Sequence, residues 1–249
     1  MHRFYVDTPI SGVDAQVVLN AEESAHAARV LRLREGEEVR LLDGENLWAA
    51  ELVRVDAKET VASVTAHCPS PEAPAQAVLL QGLPKADKLE LIAQKGTELG
   101  MWELWPVEME RSVARADKAD KADKKRERLQ RIAMEAAKQS GRAHVPEVAS
   151  TTSFAKALAR LDEFDLTLVA WEDEHALSMS KAVRQHVQEK GMPRRVMIVI
   201  GPEGGISQAE WQKLHDAGAV SVTLGPRILR TETAGLCALS VLWTALGEM

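Results

Sequence analysis

The hydrophobic rhythm of the chain changes after Ala66. Before that point, short apolar runs interleave with polar residues at a period of two, the pattern of half-buried strands. Phe4–Val6 and Val17–Leu19 read as strands, and Asn20-x-x-Glu23 reads as a capping box opening a helix through Leu31. Glu37–Leu42 and Leu47–Val55 are the arms of a predicted hairpin turned at Asp43-Gly44, and Thr60–Ala66 is a further strand. A unit built of such short strands predicts a small barrel. Cys68-Pro-Ser-Pro-Glu-Ala-Pro-Ala75 follows, and its three prolines favour an extended connector. The domain boundary is placed there, giving domains over 1–70 and 71–249.

Beyond the connector, strands alternate with helices. Ala77–Leu80 and Glu103–Val107 read as strands. Asp87–Leu99 reads as a helix with Leu89, Ile92, Ala93, Gly96 and Leu99 on one face and Gly100 as its stop. Asp123–Ser140 is a second helix, with Leu129, Ile132, Ala133 and Ala136 inward. Asp165–Trp171, Arg195–Ile200 and Ala219–Leu224 are nearly continuous apolar runs, as in parallel strands covered on both faces. Ser207-x-x-Glu210 caps a helix between the last two and Gly218 ends it; a long apolar helix closes near Leu246. The class is α/β.

Two cysteines, Cys68 and Cys237, stand far apart and argue against a disulfide scaffold. The first residues lack the apolar core of a signal peptide, and no run reaches the ~20 apolar residues of a membrane span. These features predict a cytoplasmic protein. The seven histidines and two cysteines show no metal-ligand spacing, so no metal is expected. The net charge is −6, but it is unevenly spread. From Arg111 to Arg142 there are eleven Lys/Arg against five Asp/Glu, whereas residues 1–67 hold seven against twelve. Phosphate contact depends on such a local basic face rather than on the overall sum. Within the basic stretch, Ala116–Lys125 is a three-residue Ala-Asp-Lys repeat, read as an exposed loop or helix extension.

The chemistry is concentrated in two turns that follow apolar strands. Ile200-Gly-Pro-Glu-Gly-Gly205 lacks the lysine of a phosphate loop and the spacing of a dinucleotide fingerprint. It offers backbone groups free of side-chain cover, with Glu203 adding a carboxylate. Leu224-Gly-Pro-Arg-Ile-Leu-Arg-Thr-Glu-Thr-Ala234 crowds Arg227, Arg230 and Glu232 into a loop before the last helix. Arg230 and Glu232 could simply pair with each other. In open α/β sheets, ligands bind at this edge, so two adjacent turns predict one pocket.

At these turns the sequence resembles the SPOUT superfamily of S-adenosyl-L-methionine-dependent RNA methyltransferases, and most closely its 16S rRNA (uracil-N3) methyltransferase family. Further pieces carry the resemblance: His26-Ala-Ala-Arg-Val-Leu-Arg-Leu-Arg34 with Gly36 and Asp43-Gly44, Lys85-Ala-Asp-Lys-Leu-Glu90, Gln94-Lys-Gly-Thr-Glu-Leu-Gly100, and Glu135-Ala-Ala-Lys-Gln-Ser-Gly-Arg142 with Val145-Pro146. The resemblance implies a PUA-like RNA-binding barrel followed by an α/β domain with a C-terminal trefoil knot, working as a homodimer on 16S rRNA of the small ribosomal subunit.

By the same resemblance, the cofactor lies between three strand ends. The first comprises Leu168, Val169, Ala170, Trp171 and Glu172; the second Ile200, Gly201, Pro202, Glu203, Gly204 and Gly205. The third comprises Leu224, Gly225, Ile228, Leu229, Arg230, Thr231, Thr233 and Ala234. Arg230 is the expected stabiliser of a uridine N3 anion, with Glu232 its orienter or the base. Arg3, Arg29, Arg32, Arg34, Lys85, Lys95, Gln139 and Arg142 are the expected RNA contacts, and the acidic balance of the barrel predicts a narrow RNA face centred on Arg29, Arg32 and Arg34. The alternatives are a related enzyme acting on tRNA or a ribose 2′-OH, and a non-catalytic ribosome-assembly factor.

Overall fold

The computed structural model describes residues 1–44, 46–85, 87–114 and 119–249. The chain packs as two compact units, one of Met1–Glu72 with Ala137–Val145, the other of Ala73–Ala136 with Pro146–Met249.

In the first unit, β1 (His2–Tyr5), β2 (Gln16–Val18), β3 (Glu38–Leu42), β4 (Leu47–Arg54) and β5 (Val61–Cys68) form one sheet in the order β1-β3-β4-β5-β2. The β1–β3 pair is parallel and the others antiparallel. The sheet closes over Phe4, Leu19, Leu41, Leu52 and Val64, all nearly inaccessible. Burying side chains of this size stabilises by about 1.5–3 kcal/mol each.

The helix expected through Leu31 is shorter. The α-helix α1 runs Ala21–Ala25 and widens into a π-type turn over His26–Val30, where the Leu31 amide donates to the His26 carbonyl at 3.0 Å. Asn20 caps it by accepting from the Glu23 amide at 2.9 Å, but the Glu23 carboxylate pairs with Lys138 instead of completing the box. Immediately beyond, Arg32 adopts a left-handed conformation, φ 54°.

The proline-rich stretch also differs from a free connector. Glu72 within it accepts the Arg142 guanidinium, Nε at 3.0 Å, and the amides of Ala143 and His144 at 2.9 and 3.1 Å. Tyr5, Leu42, Ala137 and Ala143 pack as a small cluster on the same segment, and the Tyr5 hydroxyl donates to the Arg142 carbonyl. Residues 137–145 thus belong to the first unit although they are 65 or more positions beyond Glu72 in the chain.

The second unit holds seven strands: β6 (Gln76–Gly82), β7 (Met101–Glu108), β8 (Glu147–Val148), β9 (Thr152–Ser153), β10 (Leu166–Ala170), β11 (Arg195–Ile200) and β12 (Val220–Val222). Its helices are α2 (Lys88–Glu98), α3 (Ala119–Ser140, of which residues 137–140 belong to the first unit), α4 (Phe154–Leu158), α5 (Met179–Lys190), α6 (Gln208–Asp216) and α7 (Thr231–Leu246). The sheet is parallel in the order β12-β10-β11-β6-β7-β8, with β9 also paired to β7. Strand residues alternate between two cores. Leu79, Leu168, Val196 and Ile198 meet α2, α3, α5 and α7 on one face. Val78, Leu80, Val169 and Val199 meet α4 and α6 on the other.

The expected α/β class and buried parallel strands are therefore present. The Ser207–Glu210 capping box also forms, with both reciprocal bonds made. The short strands β8 and β9 and helix α4 carry too few residues for a readable period. Of the Ala-Asp-Lys repeat, Ala116–Lys118 lies outside the described residues, and the later copies continue into α3. Because β10, β11 and β12 are parallel neighbours in register, their C-terminal ends lie side by side. That edge carries the two glycine-bearing turns.

Candidate active site

The three strand ends enclose a cavity of about 800 Å³. Its walls include Ala170, Trp171 and Glu172 at the end of β10, Ile200, Gly201, Pro202, Glu203 and Gly205 at the end of β11, and Leu224, Gly225, Ile228, Leu229, Arg230, Thr231 and Ala234 after β12. The volume falls in the usual range for small-ligand pockets, roughly 300–1,000 Å³. Four residues expected at the pocket are not on its wall. Leu168 and Val169 are 0% and 1% exposed because their side chains fill the two cores. Gly204 instead gives its carbonyl to the Arg111 guanidinium at 3.2 Å, and Thr233 is exposed on the first turn of α7.

Local chemistry explains how the turns hold their shape. Gly205 has φ 74°, a region a side chain disfavours, and its amide closes the turn on the Pro202 carbonyl at 2.9 Å. Gly82, at the end of β6, is crowded by the same turn: a Cβ there would stand 2.5 Å from Pro202 Cδ and N. Thr223, after β12, is clasped to the loop after β10, its amide donating to the Leu177 carbonyl and its carbonyl accepting from Met179. Glu174 steadies that loop by accepting the amides of Ala176 and Leu177. These bonds hold its carboxyl below the usual range.

Beneath the cavity runs a buried relay. Gln81, 0% exposed, donates through Nε2 to Thr231 Oγ1 at 2.8 Å, and Thr231 Oγ1 donates to the Gly201 carbonyl at 2.6 Å. The relay joins β6, the turn after β11 and the first residue of α7. No motif flagged Gln81.

The charged wall differs from the mutual Arg230–Glu232 pairing considered from sequence. Lys88, the first residue of α2, takes both carboxylates: its Nζ is 2.9 Å from Glu203 Oε1 and 3.1 Å from Glu232 Oε2. The Lys85 amide adds a second bond to Glu203 at 3.0 Å. Burial pushes both carboxyls up, but the Lys88 ammonium and backbone amides outweigh it and hold both below the usual range. Glu203, then Glu232, raise Lys88 in turn. Both carboxylates are therefore ionised at neutral pH, and Lys88 is a cation. Arg230 caps α7 with extended backbone and is exposed, with no ion-pair partner among the described residues. Lys88 was legible only as part of the Lys85–Glu90 piece; its chemical role needs the fold.

The residues expected to contact RNA separate by exposure. In the first unit, Arg3, Arg29, Arg32, Arg34 and Gln139 are exposed. Arg142 departs from expectation, being 6% exposed and held by Glu72, so it serves packing rather than an open surface. In the second unit, Lys85 is exposed and Lys95 pairs with Glu98 one turn along its helix.

Comparison with known proteins places this geometry in a family. Residues 71–243 match the RNA methyltransferase domain and residues 19–64 the RNA methyltransferase PUA domain. The chain is 37% identical to the ribosomal RNA small subunit methyltransferase E of Bacillus subtilis over 246 residues, covering 97% of this chain and 96% of that protein. It is 34% identical to the enzyme of the same name from Mycobacterium bovis, over 95% of this chain and 88% of that one. The crystal structure of ribosomal RNA small subunit methyltransferase E from Neisseria gonorrhoeae bound to S-adenosyl methionine superposes with a TM-score of 0.81 at 30% identity, covering 98% and 97% of the two chains. With a parallel sheet opening a pocket at its strand ends and a family match across most of its length, the chain belongs to the RNA methyltransferase family that joins a PUA domain to an α/β methyltransferase domain.

Proposed function

We propose that the protein transfers the methyl group of S-adenosyl-L-methionine to N3 of a specific uridine in 16S rRNA of the small ribosomal subunit, in the cytoplasm. The observation that carries this reading is the cavity at three strand ends with Arg230 and Glu232 beside it at the start of α7. The cavity suits the cofactor. Ile200, Leu224 and Leu229 give it apolar wall for an adenine, and among the described residues no protein acceptor takes the amides of Leu224, Ile228 or Leu229. Glu172, Glu203 and the neighbouring Glu232 supply negative charge suited to a sulfonium.

When bound, the cofactor supplies an electrophilic methyl whose bond to sulfur breaks as the bond to N3 forms, leaving a neutral thioether. The protein must accommodate the N3 proton and the negative charge it leaves behind. Arg230, exposed and without an ion-pair partner among the described residues, is suited to face the uracil carbonyl oxygens and stabilise that charge. Glu232 orients Arg230 or accepts the proton. Its lowered pKa makes it a weak base, so stabilisation by Arg230 carries more of the barrier. Walls that hold both reactants in line contribute the remainder. The target base must be unstacked to reach them.

We assign RNA capture to the first unit through Arg3, Arg29, Arg32, Arg34 and Gln139, with Lys85 and Lys95 as contacts on the second. We also propose that the C-terminal segment is a trefoil knot, in keeping with the way Thr223 is clasped by residues 177–179, and that the protein acts as a homodimer. Ile228, 93% exposed beside the pocket, supplies apolar surface for a second copy.

Arg230→Ala tests the chemistry. Methyl transfer is expected to fall about 10²-fold or more while cofactor affinity changes little. Normal turnover with both ligands bound would show that Arg230 is not catalytic. Nucleoside mass mapping of ribosomal RNA from cells with and without the protein tests the product: one 3-methyluridine should disappear. A lost 2′-O-methyl or tRNA modification would overturn the assignment.

A further inference from the structure

We propose that Lys88 is the positioning residue of this site, a single ammonium shared by two carboxylates that ties the turn after β11 to the start of α7 and presents Glu232 as a carboxylate beside Arg230. The proposal rests on the methyl-transfer reading. Three segments distant in sequence meet at one atom: Lys88 from α2, Glu203 from the turn and Glu232 from α7. Their side chains are 26%, 25% and 15% exposed, so water screens the group only in part.

The geometry is unequal. Lys88 holds Glu203 Oε1 by a hydrogen bond at 2.9 Å and Glu232 Oε2 by a longer ion-pair contact at 3.1 Å. Glu232 Oε2 is buried, and among the described residues the Lys88 ammonium is its ion-pair partner. A carboxylate has two oxygens and about four lone-pair sites, so with Oε2 turned to Lys88 the group as a whole retains acceptor capacity for a substrate N–H, and N3–H of a uracil is such a donor. An acceptor in this state needs its charge maintained from outside the hydrogen bond. The charged groups around it are Lys88 from α2, Glu203 sharing that ammonium, and Arg230 two residues earlier. Without Lys88, two carboxylates would face each other with no shared cation, and one would take up a proton as the pH falls.

This differs from a strut that merely holds the loops. A strut, once removed, reduces activity equally at every pH. Removal of a counter-ion raises the Glu232 pKa, so activity falls most on the acid side and returns as the pH rises.

The test uses the full-length protein, S-adenosyl methionine carrying a labelled methyl, and small ribosomal subunits from cells lacking the protein. For Lys88→Met, cofactor affinity is expected to stay within about threefold, and methyl transfer on the acid side of the rate profile to fall about tenfold. The acid limb of the rate profile should move up by about one pH unit, with the loss shrinking toward neutral pH, where Glu232 is ionised in both proteins. Lys88→Arg should keep the wild-type profile, since a guanidinium can also bridge two carboxylates. Glu203→Gln, which leaves the ammonium to Glu232 alone, should move the acid limb down. Melting curves establish that each variant is folded; if Lys88→Met is not, the opposed shift in Glu203→Gln decides. A Lys88→Met profile identical to wild type, a loss equal at all pH values, or an unmoved limb in Glu203→Gln overturns the proposal. Wild-type protein that transfers no methyl to uridine N3 overturns the functional reading itself, and that outcome is distinct because it precedes any variant.

Discussion

Gly82 shows how a single residue can matter without carrying chemistry. It lies at the end of β6, and its missing side chain lets the backbone of Pro202 approach to a distance no Cβ tolerates. Gly82→Ala should push the Gly201–Gly205 turn outward, costing about 1–3 kcal/mol of stability as other overpacked sites do. It should also weaken cofactor binding, because that turn is one wall of the cavity. Urea unfolding and calorimetric titration with S-adenosyl methionine measure the two effects, and an unchanged midpoint with unchanged affinity would refute the argument. Glycine at 82 could be read from the chain, but its reason could not, since the crowding atom is 120 positions away. Arg142 makes the reverse point. It looked like an RNA contact in a basic stretch, and the fold commits its charge to Glu72 instead.

Among the elements, α7 does most to assemble the site. Its first residue, Thr231, is buried and links Gln81 of β6 to the Gly201 carbonyl of the turn after β11. Thr231→Val keeps the shape and removes the hydroxyl, taking an acceptor from the buried Gln81 amide and a donor from the Gly201 carbonyl. A stability loss of about 1–3 kcal/mol is expected, and Thr231→Ser should restore most of it. Chemical denaturation of the three proteins checks this; equal midpoints for threonine and valine would show the relay to be energetically idle. Other elements were legible to different degrees. The buried strands β10 and β11 announce themselves as apolar runs, and the helix α6 by its Ser207–Glu210 box. The α1 segment misled because a π-type turn keeps helical composition while shifting its hydrogen bonds by one residue.

On the scale of the whole molecule, charge is arranged against its own sum. A chain of net charge −6 is proposed to bind a polyanion, which requires local basic groups free of carboxylate partners. Arg29, Arg32 and Arg34 are exposed where α1 gives way to the loop before β3. Replacing all three with glutamine should weaken binding to ribosomal RNA and lower the salt dependence of log affinity by about two, at roughly 0.7 for each single-strand phosphate no longer neutralised. Filter binding over a salt series measures it, and an unaltered slope would remove these arginines from the RNA face.

What the sequence alone determined is what local physics encodes. Side-chain period distinguishes the strand-rich first part from the alternating second, parallel strands read as continuous apolar runs, and a Gly-Pro turn after each of two strands marks the ligand edge of the sheet. The pocket's location followed, because that edge is a property of the α/β class. Tertiary structure alone decided which atoms face one another there. Lys88 meets Glu203 across 115 positions and Gln81 meets Thr231 across 150, and no periodicity reports on such pairs. Their partnership is set by strand order and by the burial that makes an unmatched charge or hydroxyl costly, and both exist only once the chain has folded.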